Sequence, residues 1–241
     1  MTLTMTIPRA NPFEATSYEM TKIPDLEMSP NIELDTEIQY TDVESYLKSD
    51  WVKVQRCGVI PYTYVNGKRL FCMGLDSESG DITDFSGRTD PRRDKTPIST
   101  ALREFREETL NVFTSISVSD IGQSLVIHDP DNLIVLIHCD LDPDQVDKIY
   151  ALAHERAMIK REEKMQAARE RPNLSACHWL RCSRLPEISK FVWLDADDLS
   201  RLINETRPPK SGRSFFDKRS PPMFSRVRNF LRRCVSQDIT L

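Results

Sequence analysis

Apolar residues recur along this chain with two periods, and the switches between them mark out its elements. Over residues 54–75, VQRCGVIPYTYVNGKRLFCMGL, two β-prone runs flank Asn66-Gly67. Asn and Gly tolerate the positive φ of a tight two-residue turn, so the stretch predicts a hairpin. An acidic loop, DSESGDITDFSGRTDPRRDK, follows. From Thr96 the period changes: Ile98, Ala101, Leu102, Phe105, Thr109 and Val112 recur at three- and four-residue spacing, the signature of a helix with one buried face. Thr96 is the expected N-cap and Pro97 the first helical residue. Strands are expected at 116–121, 124–129 and 132–141, the last dense enough in apolar residues to be central. A long helix is expected over about 144–171, with Val146, Ile149, Tyr150, Ala153 and Ala157 on one side and an almost wholly polar second half. Residues 191–203, FVWLDADDLSRLI, predict a strand and a helix whose start, rich in Asp195, Asp197 and Asp198, suits the macrodipole. A basic amphipathic segment, MFSRVRNFLRRC, closes the chain, and no internal repeat is visible.

The predicted helix at 96–113 carries the chemistry. At 100° per residue, Glu104, Glu107 and Glu108 fall within about a 100° arc, away from the Leu102 and Phe105 face. Three such carboxylates repel one another, and Glu104 with Glu108 is a destabilising i,i+4 pair. Arg103 and Arg106 offset part of this, and a divalent cation would offset more. Mg²⁺ prefers hard oxygen ligands of this kind, completed by substrate phosphate oxygens. A solvated acidic helix face is the alternative for a bare E-x-x-E-E.

The surroundings extend the pattern. A glycine-containing loop after a strand, then T-P-x-x-x-A-L-R-E-F-x-E-E-T, resembles the Nudix box, G-x5-E-x7-R-E-U-x-E-E-x-G-U with U apolar. The resemblance is tight over residues 86–113 and looser, by order of elements, from about 51 to 203. It implies a Nudix-type α/β/α sandwich with a mixed sheet, the box helix on one side and the later helices on the other, plus a long inserted helix and flexible tails. It also implies hydrolysis of a phosphoanhydride bond in a nucleoside diphosphate linked to a group X, with Mg²⁺ or Mn²⁺. By position, Glu104, Glu107 and Glu108 would bind metal and activate water, and Arg103 would orient them. Phe105 would lock the helix into the core, and Gly87 would let the loop approach metal and phosphates. Relatives often recruit a further acid from a later loop, which points to Glu187, with a solvent-facing acid as the alternative; Glu155, Glu162 and Glu163 are lesser candidates. Arg88, Arg92 and Arg93 are candidate phosphate clamps, or simply a solvated charge run.

Three departures stand out. Lys95 occupies the position of the motif's first Glu, and Asp94 beside it can substitute only if the loop shifts. The spacing from Gly87 to the helix is about two residues longer than the pattern. Leu110 stands where a helix-ending Gly is expected, with Asn111, which tolerates left-handed geometry, as the residue that would take over.

Charge and composition complete the picture. The net charge of −4 combines an acidic first fifty residues with a basic ending from Arg207 on. The expected organisation is an acidic, partly disordered arm at 1–48, the hydrolase domain at 49–206 and a basic tail at 207–241. No apolar run approaches the ~20 residues of a membrane span, and the N-terminus lacks a signal-peptide pattern, so a soluble, cytoplasmic protein is expected. The six cysteines are scattered, which argues against a disulfide framework. Cys177, His178 and Cys182 have no second ligand pair with zinc spacing. His128 and His138, in or near strands, are expected to be structural, with contact to substrate as the alternative. The basic ending, with Arg213 near Phe215 and Phe216, fits a polyanion such as RNA, or else folds back onto the chain. The long helix and this ending resemble the larger Nudix hydrolases of big DNA viruses, which include mRNA-decapping members. Three functions therefore stay open: hydrolysis of an mRNA cap; hydrolysis of a small diphosphate such as a dinucleoside polyphosphate, nucleotide sugar or diphosphoinositol polyphosphate; and binding without turnover. Oligomeric state is not legible.

Overall fold

The computed structural model describes residues 38–48, 54–113, 116, 121–122, 124–170, 185–205 and 221–236. The elements are β1 (Gln39–Asp42), α1 (Val43–Lys48), β2 (Arg56–Val65), β3 (Lys68–Asp76), β4 (Ile82–Thr83), β5 (Phe85–Arg88) and α2 (Pro97–Glu108). They continue with β6 (Leu125–His128), β7 (Asn132–His138), α3 (Pro143–Arg169), β8 (Ile188–Leu194), α4 (Ala196–Asn204) and α5 (Ser225–Ser236).

One mixed sheet organises them. Its main path runs β1-β6-β7-β2-β3-β4, with β5 added to β2 and β8 to β3. The β2–β7 pair is parallel and the other named pairs are antiparallel. The expected hairpin forms: Val65 pairs with Lys68 across Asn66 and Gly67, whose φ values of 51° and 77° suit a tight turn.

Side chains along β7 alternate between two cores, as a strand buried on both faces requires. Leu133, Val135 and Ile137 face one core, built with Ile98, Ala101, Leu102 and Phe105 of α2 and Val146 and Tyr150 of α3. Ile134 and Leu136 face the other, closed by Leu199, Leu202 and Ile203 of α4 and by Val227, Phe230, Leu231 and Cys234 of α5. The sandwich is thus as expected, with one change of side. The long helix α3 lies on the face of α2, because its apolar residues meet Phe191 and Ile188 of β8, with which they share that core.

The expected boundaries of the folded unit also shift. β1 pairs with β6 in register from Gln39–His128 to Asp42–Leu125, and Val43 and Tyr46 of α1 are buried, so residues 38–48 belong to the domain. At the other end, Met223 bridges to Ile82, and α5 fills the second core. Its arginines serve the fold: Arg232 donates to the Ile203 carbonyl, Arg228 to the Glu205 carbonyl, and Arg233 pairs with Asp129. Two of these contacts satisfy carbonyls at the C-terminus of α4, where a helix favours cations. The acidic loop after β3 contains β4 and β5, anchored by buried Ile82 and Phe85. The strand expected at 116–121 and the possible metal ligands Cys177, His178 and Cys182 lie outside the described residues. Among the described residues no helix is long and apolar enough to cross a membrane.

α2 begins as its sequence requires. The Thr96 side chain accepts from Ser99 N at 3.1 Å, and Ser99 Oγ accepts from Thr96 N at 2.9 Å, a reciprocal cap with Pro97 behind it. Its end departs from expectation. Leu110 N donates to Glu107 O and Asn111 N to Arg106 O, a Schellman motif in which Leu110 itself holds the left-handed position at φ 53°; Asn111 follows at 58°. A Cβ in that conformation costs roughly 1–2 kcal/mol. Leu110→Gly should therefore be more stable than Leu110→Ala by about 1 kcal/mol, the reverse of their helix-interior order. Urea unfolding of the two variants measures the difference, and equal midpoints would show that no strain resides there.

Candidate active site

Arg103 is the hub of the site. Its Nε and Nη2 each donate to an oxygen of Asp94 at 2.8 Å, Nη1 to Glu104 Oε1 at 2.6 Å and Glu107 Oε2 at 3.3 Å, and Nη2 again to the Arg88 carbonyl at 3.0 Å. A guanidinium has five N–H donors, and all five have partners here. One side chain thus ties the end of β5, the loop before α2 and two glutamates of α2 together.

Asp94 can do this because residues 90–94 close a turn. Asp94 N donates to the Asp90 carbonyl, and Asp90 N donates to Asp94 Oδ2. The turn absorbs the surplus length of the loop and brings Asp94 onto Arg103, while Lys95 is exposed. The Asp94 side chain is 2% exposed, and its bonds to Arg103 hold its carboxyl down at about 2.

The three glutamates of α2 occupy different environments, although the helix arc alone made them equivalent. Glu107 is about half exposed and accepts from Arg93 Nη2 at 2.7 Å as well as from Arg103. Glu104 lies against Gly87, where a Cβ would overlap its carboxylate. Burial raises the Glu104 carboxyl above the usual range, opposed by Arg103 and assisted by Glu107 and Glu187. Glu108 is buried, at 7% exposure, because β5 crosses that part of the arc; its Oε2 accepts from Ser86 N at 3.2 Å. Burial holds its carboxyl well above the ordinary range, and Asp84 and Glu187 add repulsion. Perturbed acids gathered in a cleft are a mark of functional sites.

Glu187 joins them. It precedes β8, and with Glu104, Glu107, Glu108, Leu185 and Pro186 it lines an open pocket of about 210 Å³. Arg88 and Arg92 are exposed and do not line this pocket, and Arg93 engages Glu107. Glu155, Glu162 and Glu163 sit exposed on α3 and do not line this pocket. His128 packs edge-on against Tyr46, and exposed His138 lies among Tyr62 and Tyr64. Arg56 and Asp84 carry no local motif that would single them out in the sequence. Asp84, between β4 and β5, is buried, paired with Arg56 at 2.7 Å and bonded by Ser86 Oγ, and it adds repulsion to Glu108. The positions are far apart in sequence, and only the β2–β5 pairing unites them.

The donor set suits a hard divalent cation, since it consists of carboxylate oxygens on one side of an open pocket. The close packing of Glu104 on Gly87 fits as well, because only a residue without Cβ leaves room for that carboxylate. Among the described residues, however, no three potential ligands converge on one point. Arg103 and Arg93 draw the oxygens of Glu104 and Glu107 toward themselves, so an entering cation would compete with exposed Arg93 first.

No protein-family model matches the chain, and no curated protein does. Among solved structures, an Ap4A hydrolase of C. elegans is similar at 19% identity over 39% of this chain and 72% of that one, with a TM-score of 0.27. The NUDIX domain of Shewanella oneidensis NrtR, in complex with ADP ribose, is similar at 11% identity over 81% of this chain and 97% of that one, with a TM-score of 0.36. Likeness at this level does not fix a substrate.

Two outcomes follow from the geometry. A carboxyl depressed in the fold stabilises it when ionised. The Asp94 contribution, on the order of 2 kcal/mol, should be complete above about pH 4 and disappear as pH falls through about 2. The stability gap between wild type and Asp94→Asn in urea should therefore close on acidification; a gap independent of pH would refute the pairing. Gly87→Ala should fold, because its Cβ meets only the end of a flexible side chain, yet it should displace Glu104. Crystallography of that variant would show an unmoved Glu104 if the contact is unimportant.

Proposed function

We propose that this chain is a Mg²⁺- or Mn²⁺-dependent Nudix-type hydrolase that cleaves a phosphoanhydride bond in a nucleoside diphosphate linked to a further group. The observation that carries this reading is the meeting of Glu104, Glu107 and Glu108 from one helix with Glu187 from a distant loop at one pocket. Those four residues would hold the cation. Such an ion, when bound, supplies Lewis acidity that eases deprotonation of the attacking water and offsets charge on the phosphate oxygens. Arg103 orients Glu104 and Glu107 from within the fold, and Arg88, Arg92 and Arg93 offer cations to the substrate phosphates from the adjoining loop. Water attacks phosphorus and passes a proton to a carboxylate of this cluster, and the bond from that phosphorus to the leaving phosphate oxygen breaks.

Within this class a small diphosphate is favoured over an mRNA cap. Three arginines of the basic ending, Arg228, Arg232 and Arg233, are engaged inside the domain, which lowers the charge left for a polyanion. Capped RNA would draw on exposed Arg226 and on Arg207, Lys210, Arg213, Lys218 and Arg219, which lie outside the described residues. Binding without turnover is supported by the arginines that already neutralise Glu104 and Glu107.

A product-resolved screen of cap-labelled RNA, nucleotide sugars, dinucleoside polyphosphates and inositol pyrophosphates, run with Mg²⁺ and with Mn²⁺, separates these readings. Hydrolysis should require the cation and fall at least about a hundredfold in Glu107→Gln, whose half-exposed side chain the fold can spare. Nucleotide binding without products would favour the binding module. Because α5 completes the second core, RNA dependence is better tested by Arg213→Ala with Lys218→Ala than by deleting the ending. A cap hydrolase should lose RNA affinity in that double variant, and more steeply at low salt.

A further inference from the structure

The site needs Glu187 opposite α2, yet it stands on a loop, and two groups outside the pocket fasten that loop. Tyr150, buried on α3, donates its hydroxyl proton to the Ile188 carbonyl at 2.8 Å and lies 3.4 Å from the Glu108 carbonyl. Ile188 follows Glu187, and Glu108 ends α2, so a single hydroxyl spans the two elements that bear the carboxylates. The Schellman motif explains why the second contact exists. Amide donors reach the carbonyls of Phe105, Arg106 and Glu107, and the Glu108 carbonyl is met by Tyr150. The ring is held for the task by Phe191, with centroids 4.0 Å apart. From the other side, Ser77 in the β3–β4 turn donates Oγ to the Pro186 carbonyl at 2.7 Å and N to the Glu187 carbonyl at 2.8 Å.

We propose that Tyr150 and Ser77 are positioning residues that set the separation between Glu187 and the glutamates of α2, and so tune the affinity of the pocket for a divalent cation. The inference rests on the cation-binding reading of the pocket. Neither side chain lines the pocket, so each acts through the backbone of the Glu187 loop. Loss of a hydrogen bond made directly to a ligating group lowers metal affinity about 10- to 100-fold, and bonds to the backbone beside it act at the lower end of that range.

The experiment is Mn²⁺ binding to the full-length protein, followed by electron paramagnetic resonance without substrate. Tyr150→Phe keeps the ring stack and removes only the hydroxyl; Ser77→Ala removes the Oγ bond at an accessible turn and serves if the first variant does not fold. Each should weaken Mn²⁺ binding about tenfold or more. Neither should weaken it further in a Glu187→Gln background, because the carboxylate they place is then gone. Wild-type affinity in Tyr150→Phe and Ser77→Ala, or an equal loss with and without Glu187, would overturn the proposal while leaving the pocket a cation site. Absence of Mn²⁺ binding by wild type would instead overturn the reading of the pocket, and this inference with it.

Discussion

Everything in the site depends on one guanidinium having all of its donors matched. Arg103 is only 15% exposed, and removing a charge of that kind from water is costly unless partners surround it. Asp94 supplies a bidentate carboxylate, the geometry in which arginine binds most tightly. That pair leaves Nη1 to restrain Glu104 and Glu107, which would otherwise repel each other on adjacent turns. The same side chain also holds the Arg88 carbonyl, which fixes β5 against α2 and keeps Gly87 on Glu104. Loss of Asp94 would therefore disturb three elements, whereas loss of Glu107 would disturb one.

The helix that carries the chemistry was legible in the sequence because each of its signals is local. Thr96, Pro97 and Ser99 lie within one turn, and the apolar spacing from Ile98 to Phe105 spans two. The Asn66-Gly67 hairpin was legible for the same reason. Elements that rely on a distant partner were not. β4 and β5 are two and four residues long and sit in an acidic stretch, so their alternation is too short to register. α5 looked like a tail because its arginines suggested solvent, but long cationic side chains can bury their stems and cap carbonyls elsewhere. Only contact with α4 and Asp129 reveals that use.

The site shows the same division. Spacing on α2 was enough to group Glu104, Glu107 and Glu108, but it could not distinguish them. Their difference arises from β5, which buries Glu108, touches Glu104 with Gly87 and leaves Glu107 to solvent. Glu187 is joined to them only when β8 pairs with β3 and its loop is pinned to the β3–β4 turn. Lys95 looked like a defect under strict motif counting. In the fold the turn at 90–94 leaves Lys95 exposed and brings Asp94, one residue earlier, onto Arg103.

The two faces of the sheet thus serve separate ends, and their separation bears on substrate. The face with α2 and α3 carries every carboxylate of the pocket, and the face with α4 and α5 carries the arginines that close the domain. Of the loop arginines, Arg93 meets these acids through Glu107, while Arg88 and Arg92 are exposed. An RNA substrate would need a second basic track that bypasses the acidic rim formed by Glu107 and Glu187.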